Sequence, residues 1–226
     1  DANQGWLKPF SEGLARASKA FGIALAGGDT TRGPLTITIQ VHGTVESGRA
    51  LYRSGAKPGD LICVSGTLGA AGAALDYLAA PAPSPAQLAL LSRYHFPQPR
   101  LSLGQQLAGC ASSAIDISDG LLADLGHICS ASHLGAELDI NSLPISSYLK
   151  EEVGEELAYR FALSDSDDYE LCFTIPKRLE DEMKRLDWSS LAPVTKIGTM
   201  IPDKNIKVLS EDGSIIEIEQ LGYKHF

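Results

Sequence analysis

The sequence predicts an α/β (α+β) protein in two parts, on three observations. Short apolar runs of strand length recur between longer segments whose apolar residues repeat at helical spacing. A polar, turn-rich stretch over 48–59, running into Lys57-Pro58-Gly59-Asp60, puts a coarse boundary near Gly55–Asp60 between a short front section and a longer rear one. The 226 residues exceed what one small core needs, and 44% hydrophobic with 21% charged residues is a globular mixture, not a disordered one.

The elements follow in order. Residues 8–22 place Phe10, Leu14, Ala17 and Phe21 on one helical face, with Gly22 as the stop. Residues 23–27 form an apolar run of strand length entering Gly27-Gly28-Asp29-Thr30-Thr31. Residues 35–43 set Leu35, Ile37, Ile39 and Val41 against Thr36, Thr38, Gln40 and His42, which predicts a strand with one buried face. Residues 61–66 read as a fully buried strand, 69–80 as an Ala-rich helix, and 81–85 as a loop whose prolines exclude regular structure. Helices are expected over 86–95 and 100–111, divided by Phe96-Pro97-Gln98-Pro99. A strand at 113–117, a helix at 121–132, a strand at 136–140 and a helical stretch at 145–162 come next. A strand at 169–175, a helix at 177–186 and strands near 194–200, 205–209 and 214–218 complete the order.

Composition excludes several functions. A net charge of −9 argues against nucleic-acid binding, which calls for a basic face. No apolar run reaches the roughly 20 residues that span a bilayer. The opening Asp1-Ala2-Asn3-Gln4-Gly5-Trp6 has neither a basic nor an apolar signal region. Cys63, Cys110, Cys129 and Cys172 form no CxxC, so reduced thiols in a cytoplasmic protein are expected. The five histidines make no HxxxH or HExxH, and Ser65 and Ser118 have no GxSxG setting. There is no GxxxxGK[ST] loop.

What remains is acidic. Three turns, Gly27 to Thr31, Asp116-Ile117-Ser118-Asp119-Gly120 and Ser164-Asp165-Ser166-Asp167-Asp168, lie beside apolar strand-like runs, where scaffolds present functional loops. Glycines admit a ligand close to the backbone, and carboxylates bind a hard metal. Carboxylates with Mg²⁺ attract a phosphate that carboxylates alone repel. Arg32, Arg49 and Arg53 are candidates for the complementary charge, a guanidinium suiting bidentate phosphate binding.

These motifs, taken in order with Gly48 to Asp60, Ser113 to Leu121, Asp167-Asp168-Tyr169-Glu170-Leu171 and the closing Gly222-Tyr223-Lys224-His225-Phe226, resemble the thiamine-monophosphate kinase family along essentially the whole chain. That family is grouped with aminoimidazole ribonucleotide synthetase and selenophosphate synthetase. The resemblance implies a two-domain fold of that superfamily: residues 1–57 as the C-terminal part of an N-terminal ATP-binding and dimerisation domain, and 58–226 as the C-terminal domain. The family's opening section, with further acidic ligands and barrel-forming strands, has no counterpart here.

The resemblance further implies ATP- and Mg²⁺-dependent phosphorylation of thiamine monophosphate to thiamine diphosphate by a cytoplasmic homodimer. It implies Asp29, Asp116 and Asp119 as metal ligands acting through the ion, and Gly28, Asp29, Arg53 and Ser118 as nucleotide contacts. Asp167 and Tyr223 fall at substrate positions. A cationic thiazolium suits a carboxylate and an aromatic face, and an acceptor that is already ionised needs no strong base. Two readings compete: another ATP-dependent member of the superfamily, and a nucleotide-binding or dimerisation module without turnover. Ser164-Asp165-Ser166 stands where the family has Ser-Gly-Gly, which predicts strain at Asp165 and Ser166 if those positions take positive φ. Ala70 stands where the family often has an acidic residue.

Overall fold

Five consecutive buried residues make β1 (Leu61–Ser65) a strand that has to lie inside a sheet. In the computed structural model, which describes residues 3–181 and 191–218, it does. The other strands are β2 (Ser113–Asp116), β3 (Gly135–Asp139), β4 (Leu171–Ile175), β5 (Val194–Ile201), β6 (Ile206–Leu209) and β7 (Ile215–Ile216). The seven-stranded order is β2-β4-β1-β5-β3-β6-β7. Its pairings are antiparallel apart from β3 with β6.

The helices are α1 (Gln4–Phe21), α2 (Ala70–Ala74), α3 (Pro85–His95), α4 (Leu101–Leu107), α5 (Leu121–Ser132), α6 (Ser147–Val153) and α7 (Glu155–Leu163). Because side chains alternate along a strand, β1 sends Ile62 and Val64 to one face of the sheet and Leu61 and Cys63 to the other. The first face packs on Leu121, Leu125 and Ile128 of α5 and Ala162 and Leu163 of α7. The second packs on Leu103 and Leu107 of α4, together with Phe173 and Ile175. Small residues of α2 meet Leu90, Leu149 and Ala158 in a separate helical cluster.

Contacts divide the chain into two units, one ending at Thr44 and the other beginning at Val45. In the first unit, Asn3 caps α1 by accepting from Trp6 N at 3.1 Å, and the helix begins at Gln4, four residues ahead of the start read from periodicity alone. Gly22 closes it with φ +66°, as expected. The expected strands at 23–27 and 35–43 are absent: both segments are irregular, and Leu35, Ile37, Ile39 and Val41 are all exposed. Alternation predicts which residues would share a face. A strand also needs a hydrogen-bonded neighbour, and 35–43 forms no ladder among the described residues.

In the second unit every expected strand is present, the last cut to two residues. The 69–80 helix is α2 followed by a 3₁₀ turn, Leu75–Tyr77. The 100–111 helix ends at Leu107, after which Ser112 N turns to donate to Thr174 O at 2.8 Å. The 145–162 stretch breaks at Gly154 into α6 and α7. Of the helix expected at 177–186, Lys177–Leu179 is a 3₁₀ turn and 180–181 are helical, the remainder lying outside the described residues. No helix among the described residues is long and apolar enough to cross a membrane.

Candidate active site

Edge strand β2 lies against β4 in a register that pairs Asp116 with Leu171. Beyond that pair the ladder continues: Ile117 N donates to Glu170 O at 2.8 Å, and Tyr169 N donates to Ile117 O at 2.9 Å. Two acidic turns 48 residues apart in sequence, 116–120 and 164–168, are thereby set side by side. Their approach is close enough to require a glycine. Gly120 has φ +107°, and a Cβ there would stand 2.5 Å from Ser164 O.

Residues 167–170 alternate in environment. Asp168 and Glu170 are buried, while Asp167 is half-buried and Tyr169 exposed. The inward carboxylates are anchored. Asp168 accepts from Gly69 N at 2.6 Å and Ala71 N at 3.2 Å, at the start of α2. Burial pushes its carboxyl up to about 6, against the pull of those N–H groups, the Ser166 hydroxyl and Arg93. Glu170 accepts from Ser65 Oγ at 2.5 Å, Arg93 Nη2 at 2.7 Å, and Arg100 Nε and Nη2 at 2.7 and 2.5 Å. Burial pushes this carboxyl up as well, but Arg100, Ser65 and Arg93 together outweigh it and hold Glu170 below the usual carboxylate range.

The expected strain at Asp165 and Ser166 does not occur, since neither has positive φ. Ser166 is buried and its hydroxyl accepts from Gly72 N at 3.1 Å, while Asp165 accepts from Arg160 Nε at 2.8 Å. The positive φ of this segment falls instead on Tyr169, at +53°.

The turn after β2 is shaped by Asp124, in the first turn of α5. Its buried carboxylate accepts from Ser118 N at 2.9 Å and Asp119 N at 3.0 Å. Burial raises its pKa, those two bonds lower it, and the charges of Asp119 and Asp116 raise it. Asp116 is exposed and Asp119 half-buried. Both also act, with Asp167, on the Tyr169 phenol, whose pKa is raised first by burial and then by these carboxylates. Burial raises the Asp167 carboxyl too, against a hydrogen bond from its own backbone.

Hard oxygen donors that repel one another are the chemistry a small divalent cation neutralises. Among the described residues no three His, Cys, Asp or Glu side chains gather as a metal-holding group. A pair of carboxylates nevertheless fits Mg²⁺, which commonly takes one or two from the protein and completes its shell with water and substrate phosphate.

The expected site residues therefore fall into four groups. Asp116, Ser118, Asp119 and Asp167 are brought together. Arg53 is exposed in the same unit, its neighbour Tyr52 accepting through O from Ala114 N of β2 at 2.9 Å. Gly28 and Asp29 belong to the first unit, in an exposed irregular stretch and not at the end of a strand. Tyr223 lies outside the described residues.

Asp168 and Glu170 stand in the sequence motifs but receive no role of their own from sequence reasoning, and Asp124, Arg93 and Arg100 are not singled out by it. Asp124 had a signal, an acid in the first turn of a helix after Asp-Gly. The Arg93 and Arg100 contacts had none, being 77 and 70 residues from Glu170.

Comparison with known proteins bears on this arrangement. The family described as AIR synthase related protein, C-terminal domain, matches residues 57–211, and its N-terminal domain matches residues 1–45. The chain is 43% identical over 233 aligned residues to thiamine-monophosphate kinase of Escherichia coli strain K12, spanning 100% of this chain and 70% of that one. The crystal structure of thiamine-monophosphate kinase from Stenotrophomonas maltophilia K279a superposes with a TM-score of 0.84 at 40% identity, over 96% of this chain and 70% of that one. The structure of AaThiL complexed with AMPPCP and TMP gives a TM-score of 0.79 at 28% identity, over 100% of this chain and 70% of that one.

Proposed function

We propose a function from one premise: the chain belongs to the thiamine-monophosphate kinase family. The proposed reaction transfers the terminal phosphoryl group of ATP directly, in line, to the phosphate of thiamine monophosphate, yielding ADP and thiamine diphosphate. The observation that supports it most is the juxtaposition of the Asp116–Gly120 turn with the Ser164–Asp168 turn through the β2–β4 ladder. Carboxylates for the metal and a carboxylate for the substrate then share one rim.

In this reading Asp116, Asp119 and Asp29 are each metal ligands, and Mg²⁺ when bound would supply the positive charge that lets two anionic phosphates approach. Gly28, Asp29, Ser118 and Arg53 contact ATP, the glycine through its open backbone and Arg53 through its guanidinium. Asp167 faces the cationic part of the acceptor, and Tyr223 packs on it. The acceptor oxygen is already ionised, so these residues orient and screen and do not remove a proton. Asp124 holds the Ser118–Asp119 backbone and so positions the part of the turn that carries Asp119. The family's proposed setting is a cytoplasmic homodimer, with residues 1–57 in its ATP-binding domain and 58–226 in its C-terminal domain.

The test is ADP release by the complete protein on addition of thiamine monophosphate, against aminoimidazole precursors and selenide as alternative acceptors. Turnover confined to thiamine monophosphate is expected. Asp116→Asn should lower kcat by about a hundredfold or more, the scale of removing one electrostatic stabiliser, with an unchanged circular dichroism spectrum. Turnover equal to the parent at saturating Mg²⁺ would remove Asp116 from this role, and ATP binding without ADP release for any acceptor would favour a non-catalytic module.

A further inference from the structure

Tyr169 is out of keeping with its neighbours. It sits between two buried and anchored residues, yet the residue itself is 48% exposed. Its backbone has φ +53°, a region that a bulky aromatic residue seldom enters. Such a conformation persists only where the surroundings over-determine it, and here they do. Asp168 is tied to the N–H groups of Gly69 and Ala71 on one side, Glu170 to Arg93 and Arg100 on the other, and Tyr169 N itself to Ile117 O. Turning the ring outward is the result of this bracing. The groups acting on its phenol are the carboxylates of Asp167, Asp116 and Asp119 and the phenol of Tyr94. The rim around the ring is thus anionic and aromatic, the complement of a flat cationic ligand.

We propose that Tyr169 is a specificity residue that selects the acceptor by its cationic heteroaromatic ring, offering a π face while Asp167 supplies the counter-charge. This rests on the thiamine monophosphate reading above and assigns the recognition of ring charge to a residue braced by the sheet. An uncharged ring of the same size gains the contact area and not the charge term.

The experiment measures binding by the complete protein in the presence of Mg²⁺ and ADP. The ligands are thiamine monophosphate and an isosteric phosphate ester whose thiazolium is replaced by an uncharged ring. Tyr169→Phe retains the face. Tyr169→Asn and Tyr169→Gly remove it, and both residue types accept positive φ, so the backbone is kept. Tyr169→Phe should bind thiamine monophosphate within twofold of the parent. The ringless variants should bind it about tenfold more weakly, lose only about threefold on the uncharged ester through the missing contact area, and keep the KM for ATP. Equal losses for the charged and uncharged ligands, or no loss for either, would overturn the role of Tyr169 while leaving the kinase reading intact. A parent protein that does not bind thiamine monophosphate overturns both.

Discussion

Glu170→Gln is the most informative single substitution in this molecule, because it keeps the shape of a buried hub and removes its charge. The carboxylate is 1% exposed and accepts from Ser65, Arg93 and Arg100, whose guanidinium-bearing side chains are 18% and 15% exposed. Removing one member of a buried ion pair strands the others, at a cost of about 3–5 kcal/mol. Two arginines depend on this one acid, but glutamine retains one oxygen acceptor, so about 3 kcal/mol is expected for the amide. With a urea m-value of about 2 kcal/mol/M, that loss moves the unfolding midpoint down by about 1.5 M, read by circular dichroism. The pH dependence gives an internal control. Glu170 is held below its unfolded value, so its stabilisation is present above about pH 4.3 and is lost as pH falls through the lower folded value. The gap between parent and variant should therefore be constant near neutrality and close only in acid. A midpoint shift below about 0.3 M at pH 7 would show that the two guanidinium groups find water or other partners, and the bracing of Tyr169 would need another source.

Other outcomes are expected from the same geometry. Asp168 has the opposite sign: its folded pKa is raised to about 6, so the parent should gain stability as pH falls from about 6 towards 4, by about 2 kcal/mol. Asp168→Asn, which can still accept from Gly69 N, should flatten that rise in thermal melts across the range; an unchanged slope would assign it to another group. Gly120→Ala places a Cβ 2.5 Å from Ser164 O at φ +107° and should cost about 2–4 kcal/mol and most turnover, checked by urea unfolding and ADP release. Parent-like behaviour would mean that the two turns separate freely. Asp124→Ala strands the N–H groups of Ser118 and Asp119 and should cost about 1–3 kcal/mol while weakening Mg²⁺ activation, measured by titrating the metal in the kinase assay.

The residues that carry these predictions differ in how far sequence alone reveals them. β1 was legible because Leu61–Ser65 is apolar without interruption, and such a run has only the inside of a sheet to occupy. The turn at 116–120 was legible because Asp, Ser, Asp and Gly follow a strand and precede a helix. The segment 35–43 shows the limit of the same reasoning. Its alternation is as clear as that of any strand, yet a ladder is a property of two chains of backbone and not of one.

Sequence by itself determined the strand and helix order of the second unit, the acidic chemistry of its turns and the family resemblance. These rest on local period, turn chemistry and motif order, which are written within a few tens of residues. Tertiary structure alone decided that Asp116 and Asp167 share a rim, that Glu170 draws in Arg93 and Arg100, and that strain falls on Tyr169 and not on Asp165 or Ser166. Each of those depends on strand register and on which buried charge finds which partner. Both are set by the energy of the assembled sheet, because desolvating a carboxylate is tolerable only where distant donors converge on it.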